Sequence, residues 1–363
     1  MFRFAGGGGA VMENQWSLET RGDPLGKLCE FITHVWQSAN LDGMLVTTNN
    51  GDKAKAIPRY LTEPTSITQI NPFMPLMEIN AARMVPRILT DHPGKKVGAL
   101  LRPCEMRALI EMTKHTPIKT DDLLTISVDC LGTLPADEYQ WRLERTSKTS
   151  PKPAKDPDDL AQEALKFARQ GGIIPYRYRT ACQICSSPAA EAADINFHVL
   201  GLPVRQQIMV SVTNVRVAET IHLEDLVSGK IDADLALQHE RVLSRMCERH
   251  QRTMERLNAG LGDLLPADVD GFIHQLENCG DCQKCLDVCP ICSVDRPARS
   301  SDGHYDRTGV MRWLVSCAGC GMCEQSCPNH LPTSAIFAHI RQLLDQEWAY
   351  VPGRSMSDSL PVL

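Results

Sequence analysis

Eight cysteines near the C-terminal end of the chain form two copies of one motif. The spacing C-x2-C-x2-C-x3-C-P occurs at Cys279, Cys282, Cys285, Cys289 and Pro290, and again at Cys317, Cys320, Cys323, Cys327 and Pro328. Three thiolates at this spacing can ligate three irons of a [4Fe-4S] cluster, and in two-cluster ferredoxins the fourth cysteine ligates the other cluster. We therefore predict two crossed [4Fe-4S] sites, with the ligand sets Cys279, Cys282, Cys285, Cys327 and Cys317, Cys320, Cys323, Cys289.

Zinc is the alternative ligand for these cysteines. Zinc ribbons use paired C-x2-C knuckles, whereas this chain has triplets followed by a distal C-P, so the spacing favours iron–sulfur clusters. Cys292 follows the first motif closely, but both sites already have four ligands, and we expect it to pack in the core. Cys29 and Cys247 lie in helical patterns and are also expected to be core residues.

Four further cysteines lie in the N-terminal two thirds of the chain. Cys104 follows the apolar run KVGALLRP, Cys130 follows LLTISVD, and Cys182 and Cys185 form a C-x2-C pair in RTACQICSS. If the two apolar runs are neighbouring parallel strands, both strand-end thiols emerge at the same edge of the sheet. The four thiols then fit either a third [4Fe-4S] site or two buried thiols beside a redox dithiol, and spacing alone does not choose between them.

The composition limits the classes of protein to be considered. The chain has 363 residues, 15 cysteines and a net charge of -6, from 38 basic and 44 acidic side chains. A nucleic-acid-binding protein is disfavoured because no polybasic face is available. No apolar run reaches the roughly 18 residues of a membrane helix, and no signal peptide is recognisable. Because so many reduced thiols suit a reducing compartment, we expect a cytoplasmic protein.

Strand and helix patterns alternate before the double motif, which predicts an α/β fold with a mostly parallel sheet. An α+β bacterial-type 2[4Fe-4S] ferredoxin-like domain follows it. We expect a flexible N-terminal extension over residues 1–23, a sheet domain over 24–230 with an exposed insertion at 146–159, linking helices over 231–276, the ferredoxin domain over 277–348 and a tail over 349–363.

The motifs and their order resemble a known family. The segments RPCEMRALIEM, SVDCLGTLP and RTACQICSSPAAEAADI, followed by the double motif and IRQLLDQEWAYVPG, are similar to the beta subunits of F420-dependent formate dehydrogenases and F420-reducing hydrogenases, from about residue 25 to 353. The resemblance implies FAD in the sheet domain and a [4Fe-4S] cluster beside it, with Cys104, Cys130, Cys182 and Cys185 as its ligands. Three clusters and a flavin would then pass electrons between coenzyme F420 and a partner subunit.

The resemblance also sets expectations for partners and for the flavin site. The partner would be a molybdenum or tungsten formate dehydrogenase catalytic subunit or a heterodisulfide-reductase-like subunit. Asn71 and Arg102 are expected flavin contacts, no catalytic side chain is assigned, and His198, His239 and His250 are given no role. The chain reads GDPLGKLC and ADINFH where the family has C-G-G or S-G-G and A-D-I-S-x-G-D. These departures leave NAD(P) as an alternative hydride carrier, and a non-catalytic relay as an alternative function.

Overall fold

A seven-stranded mixed sheet forms the N-terminal part of the protein. The computed structural model describes residues 14–49, 55–149, 157–169 and 177–361. The strands are β1 (Gln15–Glu19), β2 (Gly43–Thr48), β3 (Ile57–Leu61), β4 (Val97–Leu101), β5 (Leu123–Val128), β6 (Ile195–His198) and β7 (Gln207–Val212), in the spatial order β1-β7-β6-β5-β4-β2-β3.

The four central strands are parallel. β2 pairs with β4, β4 with β5 and β5 with β6 in the parallel direction, while β3, β7 and β1 add antiparallel edges. Every residue of β4 is buried, as its continuous apolar run VGALL predicts for a strand covered on both faces. The predicted α/β fold with a mostly parallel sheet is therefore confirmed, with antiparallel strands only at its edges.

Helices cover the sheet and form most of the C-terminal half. Their bounds are α1 (Pro24–Ser38), α2 (Val85–Asp91), α3 (Pro103–His115), α4 (Ala136–Thr149), α5 (Pro157–Ala168), α6 (Thr180–Gln183), α7 (Val215–Thr220), α8 (Leu223–Leu226), α9 (Ala233–Leu261), α10 (Val269–Asn278), α11 (Lys284–Asp287), α12 (Arg307–Val315), α13 (Met322–Gln325) and α14 (Thr333–Trp348). None of the described helices is long and apolar enough to cross a membrane.

The predicted flexible extension is wrong for part of its length. Residues 15–19 form strand β1, which pairs with β7 along its whole length, and Leu18 is 1% exposed. The short segment QWSLE buries its side chains because β7 supplies the hydrogen-bonding partner. Residues 1–13 lie outside the described part of the chain. The predicted insertion at 146–159 is flanked by α4 and α5, whose helical residues extend into it, and its residues 150–156 also lie outside the described part.

The sheet and the ferredoxin-like segment share one hydrophobic core. A single cluster of buried side chains includes Leu101 of β4, Leu109 of α3, Trp313 of α12 and Phe337 of α14. The Trp313 and Phe337 rings are 4.8 Å apart and nearly perpendicular, which is a favourable aromatic arrangement. The two predicted domains therefore do not have separate cores on this side of the sheet, and α3 lies between them.

Candidate metal centres

The two ferredoxin motifs have the same local backbone. In each motif the third cysteine lies in a four-residue helix, α11 or α13, that begins after a residue in the left-handed region. These residues are Gln283, with φ of 48°, and Gly321, with φ of 69°. The left-handed residue reverses the chain between the second and third cysteines. The sequence repeat is thus also a structural repeat.

Cys289 of the first motif lies near the first three cysteines of the second motif, and Cys327 of the second motif lies near Cys279 of the first. After burial, the largest effects that raise the pKa of Cys279 come from the Cys327 and Cys282 thiols. Burial also raises the pKa values of the three leading cysteines of the second motif, and the Cys289 thiol adds to this for each of them. These proximities match the crossed arrangement of two-cluster ferredoxins.

Cys289 accepts hydrogen bonds that the sequence motif alone does not predict. The Trp313 indole Nε1 donates to Cys289 Sγ at 3.3 Å. A hydrogen bond from the Cys292 thiol is the largest of the effects that lower the pKa of Cys289 to about 7. Cys292 is buried, as expected for a packing residue. Donors aimed at a ligand sulfur stabilise its thiolate, which is the form that binds iron.

The four N-terminal cysteines surround one cavity. Cys104 lies in the first turn of α3, directly after β4, and Cys130 follows the neighbouring strand β5. Cys182 belongs to α6, and Cys185 lies two residues beyond that helix. All four line a cavity to which the second ferredoxin motif contributes Cys320 and Gly319. The expectation that the two strand-end thiols share an edge thus agrees with the sheet order.

Hydrogen-bond donors and burial define the chemistry of this cavity. The Gly132 amide donates to Cys130 Sγ at 3.4 Å, and Thr133 Oγ1 lies 3.2 Å from Cys182 Sγ. Burial, followed by the Cys182 thiol, raises the pKa of Cys130 to about 11, and burial raises the pKa of Cys104 well above its ordinary value. Without a bound cation these thiols stay protonated near neutral pH, so a metal centre is what would convert them into thiolates.

The separation of the sulfurs bears on which metal fits. A zinc ion with sulfur ligands at about 2.3 Å would hold those sulfurs roughly 4 Å apart. Within the described part of the chain, no three cysteines have their sulfurs within 4.8 Å of one another. The four thiols therefore do not form a compact set of the size that a single zinc ion needs, and a [4Fe-4S] cluster with these ligands stays a prediction of the resemblance.

Among the residues that the structure describes, one compact set of potential ligands is present: Asp129, His198 and His239, all buried. The Asp129 carboxylate already accepts hydrogen bonds from three backbone amides, at 2.9 to 3.1 Å. Burial opposes ionisation of Asp129, but His239, His198 and these amides outweigh it and lower its pKa to about 2. His239 Nδ1 lies 2.8 Å from the Leu200 carbonyl and therefore carries a proton. This set is a structural clamp next to Cys130.

Helix α9 also lines the cavity that contains the four N-terminal thiols, a contact that the sequence analysis did not predict. His250 Nδ1 lies 2.7 Å from the Cys185 carbonyl oxygen, and the Cys247 thiol donates to the Ser186 carbonyl at 3.3 Å. Cys247, expected in the core, is only half-buried. Cys247 and His250 are three residues apart, which places them on one face of the amphipathic helix α9, and this spacing could have indicated their shared role. Both residues hold the C-x2-C loop through its backbone.

Asn71 and Arg102, the expected flavin contacts, bind the protein's own backbone. Asn71 Oδ1 accepts a hydrogen bond from the Phe73 amide at 3.1 Å. Arg102 Nη2 donates to the Met74 and Leu76 carbonyls, both at 2.8 Å. Neither residue lines the cavity that contains the four thiols. Their role as flavin contacts stays a prediction.

Comparison with known proteins places this geometry among iron–sulfur subunits. Residues 275–331 match the 4Fe-4S dicluster domain. The chain is 21% identical to the beta subunit of the F420-dependent formate dehydrogenase of Methanocaldococcus jannaschii, over 93% of each chain. It is also 21% identical to the beta subunit of the F420-dependent formate dehydrogenase 1 of Methanococcus maripaludis, over 92% of each chain. A chain of the F420-reducing [NiFe] hydrogenase complex of Methanosarcina barkeri aligns with a TM-score of 0.48 and 14% identity, over 67% of this chain and 91% of that one. The resemblance to the beta subunits of F420-dependent formate dehydrogenases is therefore confirmed over nearly the whole chain, with a 4Fe-4S dicluster domain near its C-terminal end.

Proposed function

We propose that this chain is an electron-transfer subunit with three [4Fe-4S] clusters. The observation that carries the proposal is the shared cavity of the four N-terminal thiols and Cys320 of the second ferredoxin motif. The proposed ligand sets are Cys104, Cys130, Cys182 and Cys185 for a first cluster, Cys317, Cys320, Cys323 and Cys289 for a second, and Cys279, Cys282, Cys285 and Cys327 for a third.

The three clusters would form a chain that ends at the protein surface. The first and second ligand sets meet at one cavity, and each ferredoxin set contains a cysteine of the other motif. Cys279 and Cys282 are the two exposed cysteines among the fifteen, and both belong to the third set. Electrons would therefore leave or enter at this exposed end, where a partner with its own redox centre can approach.

The hydride carrier would be handled in the sheet domain. The family resemblance supports FAD as the bound group and F420 as the carrier, with NAD(P) as the alternative. A bound FAD would supply the conversion between a hydride and single electrons. The buried hydroxyl of Thr48, at the carboxyl end of β2, has no hydrogen-bond partner and fits a polar ligand at this edge. Formate oxidation would belong to a molybdenum or tungsten formate dehydrogenase catalytic subunit as the partner. A heterodisulfide-reductase-like subunit is the alternative partner for electron exchange.

An anaerobic reduction experiment tests this function. The iron-loaded protein, supplied with FAD, is mixed with reduced F420 or, separately, with NADH, and the visible absorbance of the clusters is followed. Bleaching by reduced F420 supports the deazaflavin assignment, and bleaching by NADH alone replaces it with a nicotinamide.

A non-catalytic relay is the second candidate, favoured by the engagement of Asn71 and Arg102 with protein backbone. If dithionite bleaches the clusters but neither hydride carrier does, with FAD present, the hydride-exchanging function is overturned and the relay is supported. A protein with zinc in place of iron would contradict both.

A further inference from the structure

Arg107 lies between the first ligand set and the second ferredoxin motif. Its guanidinium donates to the Ser187 carbonyl at 2.7 Å and to the Ala318 carbonyl at 3.1 Å. Its Nη2 is 3.9 Å from Cys185 Sγ. The same Nη2 therefore lies near a proposed ligand of the first cluster and binds the residue that follows Cys317.

Arg179 makes the same connection from the other side of the cavity. It is 8% exposed, and its Nη1 donates to Gln325 Oε1 of α13 at 2.9 Å. Its Nη2 is 4.0 Å from Cys182 Sγ, and its Nε donates to Thr133 Oγ1 at 2.8 Å. Two cations from distant parts of the sequence therefore occupy the boundary between the two proposed clusters.

Neither guanidinium donates a hydrogen bond to a carboxylate in the described part of the chain, although Glu105 attracts Arg179 and Glu191 attracts Arg107 electrostatically. The hydrogen-bond acceptors of the Arg107 and Arg179 guanidiniums are carbonyl, hydroxyl and side-chain amide oxygens and sulfur atoms. The nearby buried Glu105 is instead bonded to the amides of Ala81 and Arg102. Burying two positive charges without a direct carboxylate partner is costly, so a further negative group close to both guanidiniums is expected. A [4Fe-4S] core with four thiolates carries a net negative charge and would meet that need.

We propose that Arg107 and Arg179 form a cationic bridge that sets the reduction potentials of the first and second clusters together. The inference rests on the proposed function, because it requires both clusters. A positive charge beside a cluster stabilises its more negative, reduced form and raises its potential. Neither arginine donates to a residue of the first ferredoxin motif, so the third cluster serves as a reference within the same molecule.

The test is a redox titration followed by electron paramagnetic resonance on the full-length, iron-loaded protein and its Arg107→Gln and Arg179→Gln variants. We expect the potentials of the first and second clusters to become more negative in each variant, while that of the third stays unchanged. Arg296→Gln is the matched control, because Arg296 lies beside the first ferredoxin motif but is paired with Asp287 at 2.7 Å. It should leave the first and second potentials unchanged.

The lysine variants separate charge from packing. Arg107→Lys and Arg179→Lys keep the positive charge. The reduction potentials of the first and second clusters in these variants should therefore stay near those of the unmodified protein, even if the glutamine variants lose iron. A marked negative shift in the lysine variants, or unchanged potentials in fully loaded glutamine variants, would overturn the bridge. If the unmodified protein itself holds only two clusters, the proposed function fails, which its iron content shows before any variant is made.

Discussion

Asp129 shows how a single carboxylate can position the cysteines of a proposed metal site without being one of its ligands. It accepts hydrogen bonds from the Ala190 amide at 3.0 Å and from the Val199 and Leu200 amides at 2.9 and 3.1 Å. The adjacent Cys130 amide donates to the Pro188 carbonyl at 2.8 Å. The loop that follows the C-x2-C pair is thereby tied to the end of β5, which brings the cysteines of both segments to one cavity.

Asp129→Asn should therefore remove the first cluster selectively. The Asn amide would present N–H groups to backbone N–H donors, and leaving such a buried donor unsatisfied costs about 1–3 kcal/mol. We expect iron to fall from about twelve to about eight atoms per chain, as measured by chemical iron analysis. Asp194→Asn is the control, since Asp194 binds Thr125 on the same strand but away from the cysteines. Full iron in Asp129→Asn would contradict the role given to this residue.

Among the elements, α3 connects the sheet to the ferredoxin-like segment. Cys104, Arg107, Glu111 and His115 recur at intervals of three or four residues, which places them on one face of the helix. His115 lies 2.8 Å from Ser316 Oγ through Nε2 and 2.8 Å from Asp295 through Nδ1. The same helix thus carries Cys104, a proposed ligand of the first cluster, and contacts the segment on either side of α12 that leads into the second motif.

Gly321 allows α13 to approach α6 closely, which leads to a prediction at this scale. A Cβ at Gly321 would lie 2.3 Å from the Ala181 Cβ, whereas a Cβ at Gly319 would meet only the Arg341 Nη1 at 3.4 Å. Both glycines have similar positive φ values, 69° and 65°, so they share the same backbone strain on substitution. Gly321→Ala should weaken the magnetic coupling between the first and second reduced clusters, measured by electron paramagnetic resonance. Gly319→Ala should retain it, and equal coupling in both variants would contradict the close-contact argument.

Local patterns predicted the parts of the fold and site that depend on neighbouring residues in sequence. The apolar run of β4 and the repeated cysteine spacing were sufficient for a parallel strand and a double motif. Strand β3 contains Pro58, and β1 has polar residues at three of its five positions; both lie at the sheet edges, so neither is evident without its partner strand. The contacts of Arg107 with Ala318 and of Trp313 with Cys289 join distant segments, and periodicity carries no information about them.

At the scale of the whole molecule, the C-terminal tail ties the ferredoxin-like segment back to α3. The Tyr350 hydroxyl donates to the fully buried Glu111 carboxylate, which also accepts a hydrogen bond from the Gly353 amide at 2.7 Å. Lys114 donates to both Glu111 and Tyr350, at 2.8 and 2.7 Å. Tyr350 and Gly353, which lie in the segment expected only as a tail, thus supply polar contacts to the shared core described above.

Tyr350→Phe should loosen this connection without altering any cysteine. Loss of a hydrogen bond to a buried charge destabilises a protein by about 2 kcal/mol, so the thermal unfolding midpoint of the iron-loaded protein should fall. Burial, followed by the bond to Glu111, raises the pKa of Tyr350 above 10.0, so its stabilisation is complete below pH 10 and is lost as the pH rises further. The difference in unfolding midpoint between the variant and the unmodified protein should shrink in that alkaline range.

Met356→Ala, at a residue that is 43% exposed in the same tail, is the control and should leave the midpoint unchanged. An unaltered midpoint in Tyr350→Phe at neutral pH would show that the tail does not hold the two parts together.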